Sequence, residues 1–177
     1  MERRWVLTES ELRSVPEDKL VQRVVDSVLD YVGQLNPGEH DYELVRQTPK
    51  TAQYFWAMRL LESEVHNGGF EQYFWNSSCT LADVALEAYE AIGAGKHGEF
   101  LRRAWEIAGD KSWNERRHEF NSDWRAYKEA FSPALDALDD EFYAAKGGSP
   151  DSGGTNDELH RLKVEYIRQN AHRIRGS

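Results

Sequence analysis

Residues 61 to 76 read Leu-Glu-Ser-Glu-Val-His-Asn-Gly-Gly-Phe-Glu-Gln-Tyr-Phe-Trp-Asn. Just upstream, Tyr54, Ala57, Met58, Leu61 and Val65 recur at the spacing of one helix face. Pro49 suits a first helical position with Thr48 as its cap, and Asn67-Gly68-Gly69 ends the stretch, because glycine takes the left-handed conformation that closes a helix. Phe70 to Trp75 then predicts a short amphipathic helical segment with Phe70, Tyr73 and Phe74 inward. The amides Asn67, Gln72 and Asn76 surround these aromatics. Such side chains satisfy unpaired backbone groups at a helix-to-helix corner, or they line a small polar pocket.

The same period extends outward. Val21, Val24, Val25, Val28, Leu29 and Val32 predict one face of a helix from Pro16 to Gln34, stopped by Asn36-Pro37-Gly38. Thr80 with Asp83 resembles a capping box opening a helix to Ile92, which Gly93 ends. Lys96 to Ala108 presents Leu101, Ala104, Trp105 and Ala108, with Gly109 after it. Ser112 with Glu115 is a further capping box, opening a helix that carries Phe120, Trp124, Tyr127 and Phe131. Ser132-Pro133 is expected to interrupt it before a piece bearing Leu135, Leu138 and Phe142. Gly147 to Asn156 reads as a flexible loop, and Asp157 to Arg175 as a last helix with Leu159, Leu162, Tyr166 and Ile174 inward. No repeat and no βαβ rhythm appears. The expected fold is an all-α single domain over residues 1–177, about seven helices in a compact bundle-like array.

Composition agrees. A chain of 177 residues is long enough to bury roughly 70% of its unfolded surface. Six Trp, eight Tyr and seven Phe predict an aromatic core. Acids outnumber bases 31 to 22, for a net charge of −9. That balance argues against direct nucleic-acid binding, which needs a basic surface, and suits a basic protein partner. Cys79 is the one cysteine, which excludes an internal disulfide. The first thirty residues have no continuous apolar stretch behind a basic start, so no secretory leader is expected; no window reaches membrane length, and the cytoplasm is the expected compartment.

Candidate chemistry is sparse. Glu115 with His118, and Asp157 with His160, have the spacing of di-iron carboxylate motifs, with Glu62 or Glu64 as further carboxylates. Glu115 is better read as part of its capping box and Asp157 as a first-turn acid favoured by the helix dipole. Cys79 lacks a designated histidine, no Gly-x-Ser-x-Gly elbow occurs, and the glycine pairs lack a phosphate loop's context. His66 beside Glu62 reads as a surface helix pair. No catalytic residue, metal or cofactor is expected.

Acids cluster instead. Asp83, Glu87 and Glu90 share one helix face, and Glu129, Asp136, Asp139, Asp140 and Glu141 follow without a base until Lys146. The last helix is locally basic through Arg161, Lys163, Arg168, Arg173 and Arg175. Spaced carboxylates can be a solvated face, or can imitate phosphates toward a basic surface.

The run from Leu61 to Asn76 resembles the signature of the bacterial DNA-mimic-protein family: an acidic helix end, Asn-Gly-Gly-Phe, a glutamine two residues on, aromatics and an asparagine. The likeness continues through Ala82 to Gly93, Leu135 to Tyr143 and Tyr166-Ile167, covering about Pro49 to Ile174. The resemblance implies an all-α fold. It also implies a regulatory interaction role, since the family's name comes from a dimeric acidic member that imitates DNA and occupies a helix-turn-helix transcription factor. Asn67, Gly68, Gly69, Phe70, Gln72, Phe74 and Asn76 are expected to be folding determinants. The expected interaction surface is Asp83, Glu87, Glu90, Asp136, Asp139, Asp140 and Glu141, offered to a DNA-binding regulator by a non-enzymatic module. The alternative is a ligand-binding or enzymatic pocket near His66, Asn67, Gln72 and Asn76. Aromatic wealth adds self-association as a homodimer to the expectations.

Overall fold

A computed structural model of the chain describes residues 5–33, 42–145 and 157–174. Among these it is all α-helical. The expected loop at Gly147 to Asn156 lies outside the described residues.

Helix α1 (Glu9–Ser14) is capped by Thr8, whose hydroxyl accepts from the Glu11 amide at 3.2 Å. Helix α2 (Glu17–Val32) follows Pro16 and has Gly33, φ +85°, as its C-cap; the expected Asn36-Pro37-Gly38 stop lies outside the described residues. Its buried face is Leu20, Val24, Val25, Val28 and Val32, while Leu29 is turned outward and 46% exposed. The short α3 (Tyr42–Arg46) was not legible in the sequence. Its end is closed by Thr48, whose hydroxyl donates to the Val45 carbonyl, so Thr48 does not cap the next helix. Gln53 donates to the Arg46 and Thr48 carbonyls at the same corner.

Helix α4 (Lys50–Trp75) is two helical segments that meet at a kink, with non-helical backbone at Gly68 and Gly69. The break falls at the expected glycines, and the short segment to Trp75 follows it. A 3₁₀ turn (Ser77–Leu81) leads into α5 (Ala82–Ala91), which starts without a side-chain cap. The expected Thr80–Asp83 box does not form, because Asp83 is drawn to Arg46. Gly93, φ +79°, turns the chain into α6 (Gly95–Ala108).

The Ser112–Glu115 capping box is present and opens α7 (Trp113–Glu119). The break then falls at Asn121 and Ser122, φ +51° and +60°, rather than at Ser132-Pro133. Asp123 accepts from the Arg125 and Ala126 amides and starts α8 (Trp124–Ala145), which runs through Pro133. Asparagine tolerates the left-handed region, and Pro133 lies on the exposed side, where the unbonded carbonyl a turn earlier meets water. The last segment divides at Asn170 into α9 (Asp157–Gln169) and α10 (Ala171–Ile174).

Helix α4 is the axis of the array. It packs against α2, α5 and α8 and also touches α6, α7 and α10. Phe55, Ala57, Met58, Leu61, Val65, Phe70, Tyr73 and Phe74 are all buried, on more than one side of the helix. Trp75 and Tyr127 stand apart from the main core. Their ring centroids are 4.9 Å apart, and Trp124, Phe120 and Phe131 complete an aromatic group around them. The aromatic wealth is thus spent inside: among the described residues the exposed large apolar side chains are Val6 and Leu29. No described helix is long and apolar enough to cross a membrane.

Across the axis, Lys163 of α9 lies 2.6 Å from Glu62 of α4, with side-chain exposures of 9% and 17%. The Tyr89 hydroxyl donates to the same carboxylate at 3.2 Å. Glu62 therefore faces inward and is not the surface partner of His66. Removing one member of a buried pair strands the other, so Lys163→Ala should cost about 3 kcal/mol in urea unfolding. The double change Lys163→Met with Glu62→Leu should recover most of that loss.

Candidate functional site

The kink at Gly68-Gly69 is where the signature residues act. Gly69 adopts φ +77°, ψ 179°, a region essentially confined to glycine. A Cβ there would lie 2.2 Å from Asp139 Oδ2 and 2.6 Å from Glu71 Oε2, so glycine is required for space as well. At Gly68 a Cβ would meet Gln72 Oε1 at 2.4 Å. The helical segment after the kink begins with an amide that has lost its own helical acceptor, and Phe70 N donates to Asp139 Oδ1 at 2.9 Å. A carboxyl from α8 thus caps a helical segment of α4 from 69 positions away.

The amides converge on a second carboxylate. Gln72 Nε2 donates to Glu64 Oε2 at 2.6 Å, Asn76 Nδ2 to the same oxygen at 3.0 Å, and Ser78 Oγ to Glu64 Oε1 at 3.0 Å. Glu64 belongs to the helix before the kink and its three donors to the chain after it, so the carboxylate staples the corner. The sequence reading had the amides serving backbone groups; they serve a side chain instead. Asn67 and His66 are exposed and take no part. Gln72 and Asn76 are thus committed to the Glu64 carboxylate.

Two arginines close the far end of the signature. Arg116, 1% exposed, donates to the Phe74 carbonyl at 3.2 Å, to Ala108 at 3.4 Å and to Gly109 at 2.8 Å. It thereby serves the ends of α4 and α6 together, where carbonyls lack helical partners and a cation is favoured by the dipole. Its guanidinium also lies 5.1 Å from the Phe74 ring centroid. Arg117 sits between Trp75 and Trp113, at 5.2 and 5.3 Å from the ring centroids, and donates to the Trp75 carbonyl. Cys79 is packed beneath, accepting from Arg116 at 3.6 Å; burial pushes its thiol pKa up, against the lowering effect of that arginine. A thiol held protonated is a poor nucleophile.

Glu71, Asp136 and Asp139 form the one carboxylate grouping of this closeness among the described residues, with oxygens within 4.8 Å of one another. Glu71 is 1% exposed and accepts from Ser132 Oγ at 2.6 Å. Asp139 is also buried. Desolvation raises its pKa to about 7, opposed by the Phe70 amide and reinforced by the charges of Glu71 and Asp136. Donors already point into this grouping, and it contains no histidine or cysteine. Asp139 was expected on the acidic surface; it is instead an internal capping group.

The other acids of that expected surface are exposed, but most carry counterions. Asp83 is 3.1 Å from Arg46, Glu87 2.7 Å from Lys50, Glu90 3.0 Å from Arg102 and Glu141 2.8 Å from Arg103. Asp136 and Asp140 are exposed without an ion pair among the described residues, as is Glu129. Of the di-iron candidates, Glu115 is engaged by Ser112 and His118 is exposed, while the side chain of Asp157 lies outside the described residues. A cleft of about 230 Å³ lies elsewhere, between the α5–α6 turn and α9, lined by Gly93, Lys96, His97, Ala145 and Leu162.

Two glycines separate strain from space. Gly69→Ala should cost about 3 kcal/mol in thermal or urea unfolding, combining backbone strain with the clash on Asp139 and Glu71. Gly93→Ala should cost about 1 kcal/mol, since a Cβ there meets nothing within 4 Å.

The chain matches the DMP19-like protein family over residues 46–170. No curated protein and no solved structure matches it. The matched span holds the kink, the Glu64 staple, both buried-end arginines and Asp139. The chain belongs to the DMP19-like protein family.

Proposed function

We propose that this chain is a non-enzymatic interaction module that offers carboxylates of α8 to a basic protein surface, with a DNA-binding regulator as the partner class. The observation that carries this reading is the stripe Glu129, Asp136 and Asp140. At 100° per residue these three positions fall within about 40° of one another on the helix, spanning about 16 Å. They are exposed and have no ion-pair partner among the described residues. Arg125, one turn before Glu129, is the base on the same face.

Membership of a family named for DNA mimicry supports the same reading. A row of carboxylates held by a helix presents repeated negative charge, as a nucleic-acid backbone does, and a basic surface meets it by complementarity. The acids of α5 and Glu141 are weaker contributors, because each already interacts with a cation of its own chain. They would have to exchange these partners, at little cost, since exposed ion pairs contribute about 0–1 kcal/mol.

The test is affinity capture from a lysate of the source organism, with the chain immobilised and bound proteins eluted by salt or by duplex DNA. A basic DNA-binding protein should elute below about 0.3 M salt and should also be released by DNA. Glu129→Gln, Asp136→Asn and Asp140→Asn together should abolish that capture without changing thermal stability by more than about 2 °C. Capture that survives the triple change, or that DNA does not reverse, contradicts the proposal.

A further inference from the structure

We propose that Asp139 keeps a proton beside Glu71 at the glycine kink, and that its loss loosens the seam between α4 and α8, making this joint a pH-responsive device in the fold. The geometry carries the proposal. The position that a Gly69 Cβ would occupy is 2.2 Å from Asp139 Oδ2 and 2.6 Å from Glu71 Oε2, so the two oxygens converge on one point. The carboxyl oxygens of Glu71 and Asp139, with those of Asp136, lie within 4.8 Å of one another. A hydrogen bond between two such groups requires a proton on one of them, since two carboxylates offer only acceptors. Each remaining side is already supplied: Phe70 N donates to Asp139 and Ser132 Oγ to Glu71.

Among the described residues the bases packed around this joint are engaged elsewhere, Arg116 and Arg117 of α7 with the Phe74 and Trp75 carbonyls. On α4, Glu71 is itself the facing acid, and His66 lies exposed against the Tyr143 ring, 6.3 Å between centroids. On α8, Asp136 adds negative charge and Tyr143 a phenol. On α6, Arg103 is taken by Glu141, Lys96 lies over the Phe100 ring, and His97 packs on Phe142. Full ionisation would therefore set two like charges in contact inside a buried seam. Burial accordingly raises the Asp139 pKa to about 7, against about 4 in an unfolded chain. The sign follows: the stability contributed by this proton is complete below about pH 4, declines as pH rises toward 7, and is lost above it. The device stands whether or not α8 binds the partner proposed above.

The experiment is carboxyl NMR of the full chain, labelled at aspartate, together with thermal melting from pH 5 to 8.5. Asp139 should titrate between about pH 6 and 8, and the wild-type Tm should fall by about 5 °C or more across the range. Asp139→Asn keeps an acceptor for Phe70 and supplies a permanent donor to Glu71. It should flatten the pH dependence and melt about 5 °C above wild type at pH 8.5. Glu71→Gln removes the like charge and should move the Asp139 midpoint below pH 6. The wild-type spectrum decides even where a variant fails to fold. An Asp139 midpoint below about pH 5 overturns the proposal, as does an unchanged Tm slope in both variants. Stabilisation of the wild type by added Mg²⁺ or Ca²⁺ would also overturn it, because the grouping would then hold a cation instead of a proton.

Discussion

The hydrogen bond from the Phe70 amide to Asp139 lets α4 change direction without leaving a buried donor unpaired. A kink in the central helix frees amides and carbonyls far from water, and such groups cost about 1–3 kcal/mol each when unmet. Asp139 meets the amide at the start of the second segment. Arg116 meets the Phe74 carbonyl at its end. Glu64 ties the first segment to the chain beyond the second. Every helix packed on α4 takes its position from a rod bent and fixed in this way.

Charge in this protein is divided by use. The interior employs Glu62, Glu64, Glu71 and Asp139 as acceptors within the fold. A second set on the surface is matched by neighbouring bases, and a third, on α8, is left open to solvent. Net charge blurs these uses. A chain at −9 can present much less external negative potential than the total suggests, because several of its carboxylates never face outward. The stripe on α8 gains interest from the same division, since its charges are not committed elsewhere.

Helical periodicity made the all-α class, the burial of Phe70, Tyr73 and Phe74, and the Ser112 capping box legible in advance. It also contained a signal that charge concealed. Asp139 lies four residues after Leu135 and three before Phe142, the inward face of α8, yet its acidity within an acidic run suggested solvent. Leu29 erred in the opposite direction, an apolar residue on the edge of its face. Arg116 gave no local signal at all, because its acceptors are the ends of two helices that only the assembled fold brings together. The Gln72 and Asn76 partners were hidden for the same reason: a staple across a corner depends on how sharply the corner bends.

The Glu64 staple also bears on how this stretch can change over evolutionary time. The carboxylate is met by residues 8, 12 and 14 positions further along. An inserted or deleted residue anywhere between would turn all three donors away at once, and would also displace the Phe70 amide from Asp139. Substituting one donor disturbs one of these contacts, whereas a change of length displaces them together. Length variation among relatives should therefore concentrate outside residues 64–78, and the fixed spacing of the stretch is a better mark of kinship than any one of its letters.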